Sequence, residues 1–280
     1  MTTVAVVGAG EIGGAAAQAL AARHRVRRVL LVDVAAEAAA GKALDIQQSG
    51  AIEGCHTALA GTADESRLTG CGACIVADRF GGEEWRGDEA LAMLLRLARY
   101  LGEAPFVFAG VSQHDLLSSA ALEGSLSRTR LIGSSTEALV SALTAIVSLE
   151  AGCSPREIRL TVLGVPPAGF VVPWGEASIG GYAMARVLRQ AQMARIEARA
   201  AHLWPPGPYA LGAAAARIAG AILSNSLEWF SVQTQLGGEF GVKGRVGAVP
   251  ARLGARGIVG TRVPELDRRE QVRVQVALGG

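Results

Sequence analysis

Val4-Ala5-Val6-Val7-Gly8-Ala9-Gly10-Glu11-Ile12-Gly13-Gly14, followed by a helix-like run and by Leu30-Leu31-Val32-Asp33-Val34, reads as strand, glycine turn, helix and strand. Residues 4–7 form a continuous apolar run, the pattern of a strand buried on both faces of a parallel sheet. Gly8, Gly10 and Gly13 follow at G-x-G-x-x-G spacing. In that pattern Gly8 permits the tight turn, Gly10 lets a pyrophosphate approach bare backbone, and Gly13 lets the helix pack against the strand. A helix over residues 11–23 aims its N-terminal amides and dipole at the phosphate, with Glu11 and Ile12 beside it. Asp33 stands twenty residues beyond Gly13, where a carboxylate accepts from ribose hydroxyls and repels a 2′-phosphate, favouring NAD over NADP. An ordinary strand-to-helix turn shows the same glycines; the flanking strand, helix and acid together point to dinucleotide binding.

At 280 residues, half of them hydrophobic, the chain suffices for one large or two modest domains. A net charge of +2 without a long basic run argues against nucleic acid or an acidic membrane surface and for a small-molecule partner. Four cysteines and no secretory leader lead to the expectation of a cytoplasmic protein. Cys71-Gly72-Ala73-Cys74 has redox-like spacing but leads into an apolar strand without a second pair, so two small residues at a strand entrance is the plainer reading. No metal-ligand cluster is expected, and the most apolar helical stretch, residues 138–149, is too short to span a bilayer.

Further along, residues 35–48 read as a crossover helix, 55–60 as a third strand with a turn over 61–65, and 73–77 as a fourth strand. Residues 78–87 are polar and glycine-rich, suiting either a mobile loop over a cofactor or a solvated connector. An amphipathic helix over 88–101, strands at 105–109 and 131–133, and an end near Ser134 complete a doubly wound nucleotide-binding half, residues 1–134. In residues 135–280, an apolar helix spans 136–151 and an alternating strand 157–164. A hairpin-like connection follows through Pro166-Pro167, then helices over 182–203 and 209–227 and short antiparallel segments over 229–263. That is an α+β second domain.

Several later segments carry a resemblance to the lactate/malate dehydrogenase family: Gly41-Lys42-Ala43-Leu44-Asp45, Gly152-Cys153-Ser154-Pro155, Gly238-Glu239-Phe240-Gly241-Val242-Lys243 and Val249-Pro250-Ala251-Arg252-Leu253-Gly254, in order and in both halves. The resemblance implies a Rossmann domain, NAD, a homodimer or homotetramer, and hydride transfer between NAD and a hydroxy or keto compound. It also implies a histidine that shuttles the proton, an aspartate that orients it, an arginine that clamps the substrate carboxylate and a loop arginine that polarises the carbonyl. This sequence departs from it where that chemistry resides. The family's Gly-x-His-Gly-Asp is matched by Gly164-Val165-Pro166-Pro167-Ala168, and its Leu-Asp-x-x-Arg falls within residues 136–142, where no arginine stands. Its Asn-Pro-Val-Asp is matched by Ser112-Gln113-His114-Asp115, placing Ser112 at the cofactor contact. Arg86 matches the carbonyl-polarising arginine and Arg79 lies one position from the substrate-selecting one.

Among candidate replacements for the missing proton shuttle, His114 is foremost, and a half-exposed residue at a helix start is its plainer interpretation. His24 closes the first helix, suited to its last carbonyls, and His56 and His202 have no identifiable partner. Glu83, Glu84, Glu137 and Glu176 read as solvated acids, with Glu137 filling the aspartate's place only after a register shift. Trp85 suits either closure over an apolar substrate or packing onto the second half. Two functions remain: an oxidoreductase with an atypical site, which the retained Arg86 favours, and a non-catalytic NAD-binding protein.

Overall fold

The computed structural model describes residues 2–23, 26–124 and 126–279. His24 lies outside the described residues. The first half alternates β1 (Thr3–Val7), α1 (Glu11–Ala22), β2 (Arg28–Val32), α2 (Ala36–Glu53), β3 (Ala58–Thr62), β4 (Ala73–Val76), α3 (Gly87–Leu101), β5 (Phe106–Phe108), α4 (His114–Leu122) and β6 (Leu131–Gly133). Its strands pair in parallel in the order β3-β2-β1-β4-β5-β6. The order reverses between β1 and β4, which opens a crevice at the carboxyl ends of those two strands. The apolar run of β1 divides between two cores: Val4 and Val6 join the cluster on the α1 side of the sheet, Ala5 and Val7 the one on the α3 side.

The second half contains α5 (Ser135–Ala151), β7 (Ile158–Arg159), β8 (Leu163–Val165), β9 (Gly169–Val171), β10 (Ser178–Ile179), β11 (Tyr182–Ala183), α6 (Met184–Val187), α7 (Gln190–Ala200), α8 (Pro208–Leu223), β12 (Trp229–Gly237), β13 (Lys243–Gly254), β14 (Gly257–Thr261) and α9 (Arg268–Ala277). The parallel sheet runs on from β6 through β12, β13, β8 and β9, all antiparallel, with β14 on the free part of β13. Among the described residues, β6 and β12 are joined in register by Gln233 against Gly133.

Four local expectations change. The third strand begins three residues later, because Gly54 ends α2 in the left-handed conformation (φ 71°) only after α2 has continued to Glu53. The strand expected over 157–164 is two short ones in different sheets, β7 pairing with β10 and β8 with β13. The helix expected over 182–203 divides into α6 and α7, with extended backbone at Leu188 and Arg189. The late antiparallel segments are long: β12 and β13 pair across most of their length.

Most side chains of helix α8 are buried within the chain. It lies against α1, where a Cβ at Gly212 would overlap the Ala15 and Ala16 backbone. Small residues on both helices permit that approach. On α2, by contrast, Leu44 and Ile52 are exposed. No described helix is long and apolar enough to cross a membrane.

Candidate functional site

The site is built at the crevice from the glycine turn, the end of β2 and the segment 78–87 that leaves β4. Gly8 adopts φ +110°, as the turn requires, and a Cβ at Gly13 would overlap the Gly8 carbonyl. Both glycines are therefore demanded by close approach, and the backbone conforms to the dinucleotide pattern. Lys42 reaches back from α2 to donate to the Gly10 carbonyl at 2.7 Å.

Two of the amides at the start of α1 are already engaged. The Asp78 carboxylate accepts from Glu11 N at 2.8 Å through Oδ2 and from Gly13 N at 3.0 Å through Oδ1. Asp78 thus caps α1 from outside the helix, a negative group at the positive end of the dipole. A Cβ at Gly10 would overlap that carboxylate, so the glycine makes room for Asp78. Asp33 is buried at the end of β2. Its Oδ2 accepts from Ala9 N at 2.8 Å and Phe80 N at 2.9 Å, and its Oδ1 from Ala35 N at 2.9 Å. The glycine skeleton fits a dinucleotide; the anion seat, as folded, does not. A pyrophosphate and the Asp78 carboxylate need the same N–H groups and carry like charge.

At the neighbouring strand end a second acid repeats the arrangement. Glu84 accepts from Val111 N at 3.1 Å and from Ser112 N at 2.7 Å, immediately beyond β5. Asp78 and Glu84 face each other as an antiparallel bridge, so the expected mobile loop is a closed turn laid across the crevice. Glu84 is accordingly not the solvated acid the sequence suggested. Trp85 is 5% exposed and sits in the core with Val76, Leu94 and Phe108, mainly against the first half rather than over a substrate.

Among the candidate catalytic residues, the structure brings Arg86 to Ser112, donating to its Oγ at 2.8 Å. His114 begins α4 two residues beyond Ser112. Its Nδ1 is buried without a hydrogen-bond partner, and burial lowers the proton affinity of the ring. Arg79 turns away to Glu83 at 3.0 Å and Glu89 at 3.4 Å, its guanidinium 4.8 Å from the Trp85 ring centre. The two stretches in which the sequence was expected to carry ionic groups are apolar here. Leu139 is fully buried with Leu143, Val162 and Val172, and β8 ends at Val165 with Pro166-Pro167-Ala168 leading into β9. Glu137 is buried elsewhere, between α5, α8 and β12. It accepts from Arg217 at 2.9 Å and from Ser231 N at 3.0 Å, and burial pushes its pKa up to about 7 against both partners.

Cys71 and Cys74 are buried thiols whose proton affinity burial raises, which makes them inert rather than redox-active. No group of three or more metal-ligating side chains occurs among the described residues. A cavity of about 390 Å³ lies over the start of α1, between Lys42, the 78–82 turn and the Pro206–Leu211 stretch. Another, of about 310 Å³, opens between α1 and α8; Arg217 within it is committed to Glu137 and Glu228. It lies apart from the glycine turn. Asp78, Glu84 and Lys42 went unrecognised as site residues because a carboxylate or ammonium in a polar stretch carries no signal of which distant amide or carbonyl it meets.

Residues 2–81 match the sequence model of the lactate/malate dehydrogenase NAD binding domain. Over 96% of its length the chain is 29% identical to malate dehydrogenase 2 of Rhodopseudomonas palustris, covering 91% of that protein. It is 28% identical to the L-lactate dehydrogenase of Allorhizobium ampelinum, over 96% of this chain and 94% of that one. The fold is shared with the lactate dehydrogenase of Cryptosporidium parvum, a structure with lactic acid and NAD bound. The TM-score is 0.88 at 21% identity, over 99% of this chain and 94% of the other.

Proposed function

We propose that the chain, whose residues 2–81 match the lactate/malate dehydrogenase NAD binding domain and which is 29% identical to a malate dehydrogenase, binds NAD without performing the oxidation of 2-hydroxy acids typical of that family. The supporting observation is the hydrocarbon at Leu139, Ala142 and residues 165–168, where sequence matching calls for an aspartate, an arginine and a histidine. A hydride acceptor alone does not oxidise an alcohol; the hydroxyl proton needs a base, and a carboxylate substrate needs a cation to hold it. In this reading Gly8, Gly10, Glu11, Ile12, Gly13, Asp33 and Ser112 form the cofactor contacts. The protein acts through the bound nucleotide in the cytoplasm, as a homodimer or homotetramer for which the exposed face of α2 is the available apolar surface. Residues 1–134 and 135–280 are its two domains.

His114 and Arg86 favour a second reading, an NAD-dependent oxidoreductase acting on a neutral carbonyl compound. The His114 imidazole, with Nδ1 lacking a hydrogen-bond partner, stands two residues from the serine that holds Arg86. NADH titration followed by a turnover screen against pyruvate, oxaloacetate, aldehydes and ketones separates the two. Binding without turnover supports the first reading. Turnover of a neutral carbonyl, lost in Arg86→Ala, supports the second, and ordinary turnover of pyruvate or oxaloacetate refutes both.

A further inference from the structure

A dinucleotide phosphate and the Asp78 carboxylate would make competing claims on one pair of amides. We propose that Asp78 is an intramolecular competitor for the phosphate seat, so that a dinucleotide binds only by displacing the turn that carries it. The proposal rests on the NAD-binding reading and specifies how that site is regulated.

Three observations carry it. The Asp78 carboxylate bridges Glu11 N and Gly13 N with one oxygen each, the two-point arrangement that a phosphate oxyanion would need at the same helix start. The turn after Asp78 also covers the second cofactor residue, since Phe80 N donates to Asp33 Oδ2. The same segment is latched farther on by Glu84 across Val111 N and Ser112 N and by the buried ring of Trp85. These latches confine the movement required to residues 78–82, where Gly81 and Gly82 hold φ +100° and +91° with open space around their Cβ positions. Opening therefore exchanges the two amide–carboxylate bonds for amide–phosphate bonds, gives up the Phe80 N–Asp33 and Gly10 N–Asp78 carbonyl bonds, and leaves the core beneath Trp85 in place. The cavity beside Lys42 and Pro208 borders the displaced turn and offers it room.

The experiment compares the wild-type chain with Asp78→Ala and Asp78→Asn by NADH fluorescence titration and by hydrogen exchange at the first turn of α1. Asp78→Ala removes the competitor. Asp78→Asn removes the charge and retains one of the two acceptor oxygens, so it keeps part of the cap if the alanine variant misfolds. NADH affinity is expected to rise at least about tenfold in Asp78→Ala and by a smaller factor in Asp78→Asn, since each vacated charge-assisted bond no longer opposes the ligand. Without ligand, the Glu11 and Gly13 amides should be protected in the wild type and exchange faster in Asp78→Ala, with protection restored by NADH. Wild-type affinity equal to or tighter than that of both folded variants overturns the competition and leaves NAD binding standing. Absence of NADH binding in the wild type and both folded variants refutes NAD binding itself, and the competition with it.

Discussion

Replacing Glu137 by glutamine should flatten the dependence of folding stability on pH between about 4.5 and 7. The carboxyl group is buried, and desolvation raises its pKa to about 7 although Arg217 and the Ser231 amide both favour the ionised form. In the unfolded chain the same group titrates at its ordinary value of 4.5. Between those two values the folded protein binds more protons than the unfolded one, so stability falls as pH rises through the window and is constant above it. At about 1.4 kcal/mol per pKa unit, the loss from this one group is roughly 3 kcal/mol. Glutamine keeps an acceptor for the Ser231 amide and carries no charge to desolvate. The variant should therefore match the wild type near pH 4.5 and exceed its stability by a similar amount at pH 8. Arg217→Ala should act oppositely, destabilising more at pH 8 than at pH 4.5, because the buried carboxyl loses the cation that lowers its pKa. Urea unfolding at intervals from pH 4.5 to 8 measures both. Parallel wild-type and Glu137→Gln curves across that range would refute the reasoning, because they would mean that Glu137 has the same proton affinity folded and unfolded.

Asp33→Ala should destabilise the apo protein by about 1–3 kcal/mol, because the buried Ala9 amide and the part-buried Phe80 amide lose their acceptor; thermal unfolding checks this. In NADH and NADPH titrations Asp33→Ser should narrow the preference for NADH, and a wild type that binds both equally would remove Asp33 from the ribose site. Gly212→Val should cost about 1–3 kcal/mol by forcing α8 away from Ala15 and Ala16, with a lower urea midpoint as the readout. Light scattering at micromolar concentration should give a dimer or tetramer mass, and a Leu44→Glu/Ile52→Glu double variant should shift it toward monomer.

The glycine spacing, the buried character of the 4–7 and 29–32 runs and the alternation of strands with helices settle a doubly wound sheet from residue order alone. Each is a local consequence of sterics and hydrophobic period, expressed within some twenty residues. The same locality explains why 136–151 and 88–101 read correctly as helices to within a residue or two. Boundaries decided by distant pairing did not. Residues 157–164 divide because Ile158 finds Ile179 while Gly164 finds Ala248, partners the alternating pattern cannot name. Acids were read least well. Asp78, Glu84 and Glu137 are each locally indistinguishable from solvated carboxylates, and the tertiary structure alone sets one on the amides of α1, one beyond β5 and one in the core beside Arg217. The reason is physical: an apolar side chain needs only removal from water, which periodicity reports, whereas a buried charge needs a specific donor at about 3 Å, which only the folded chain supplies.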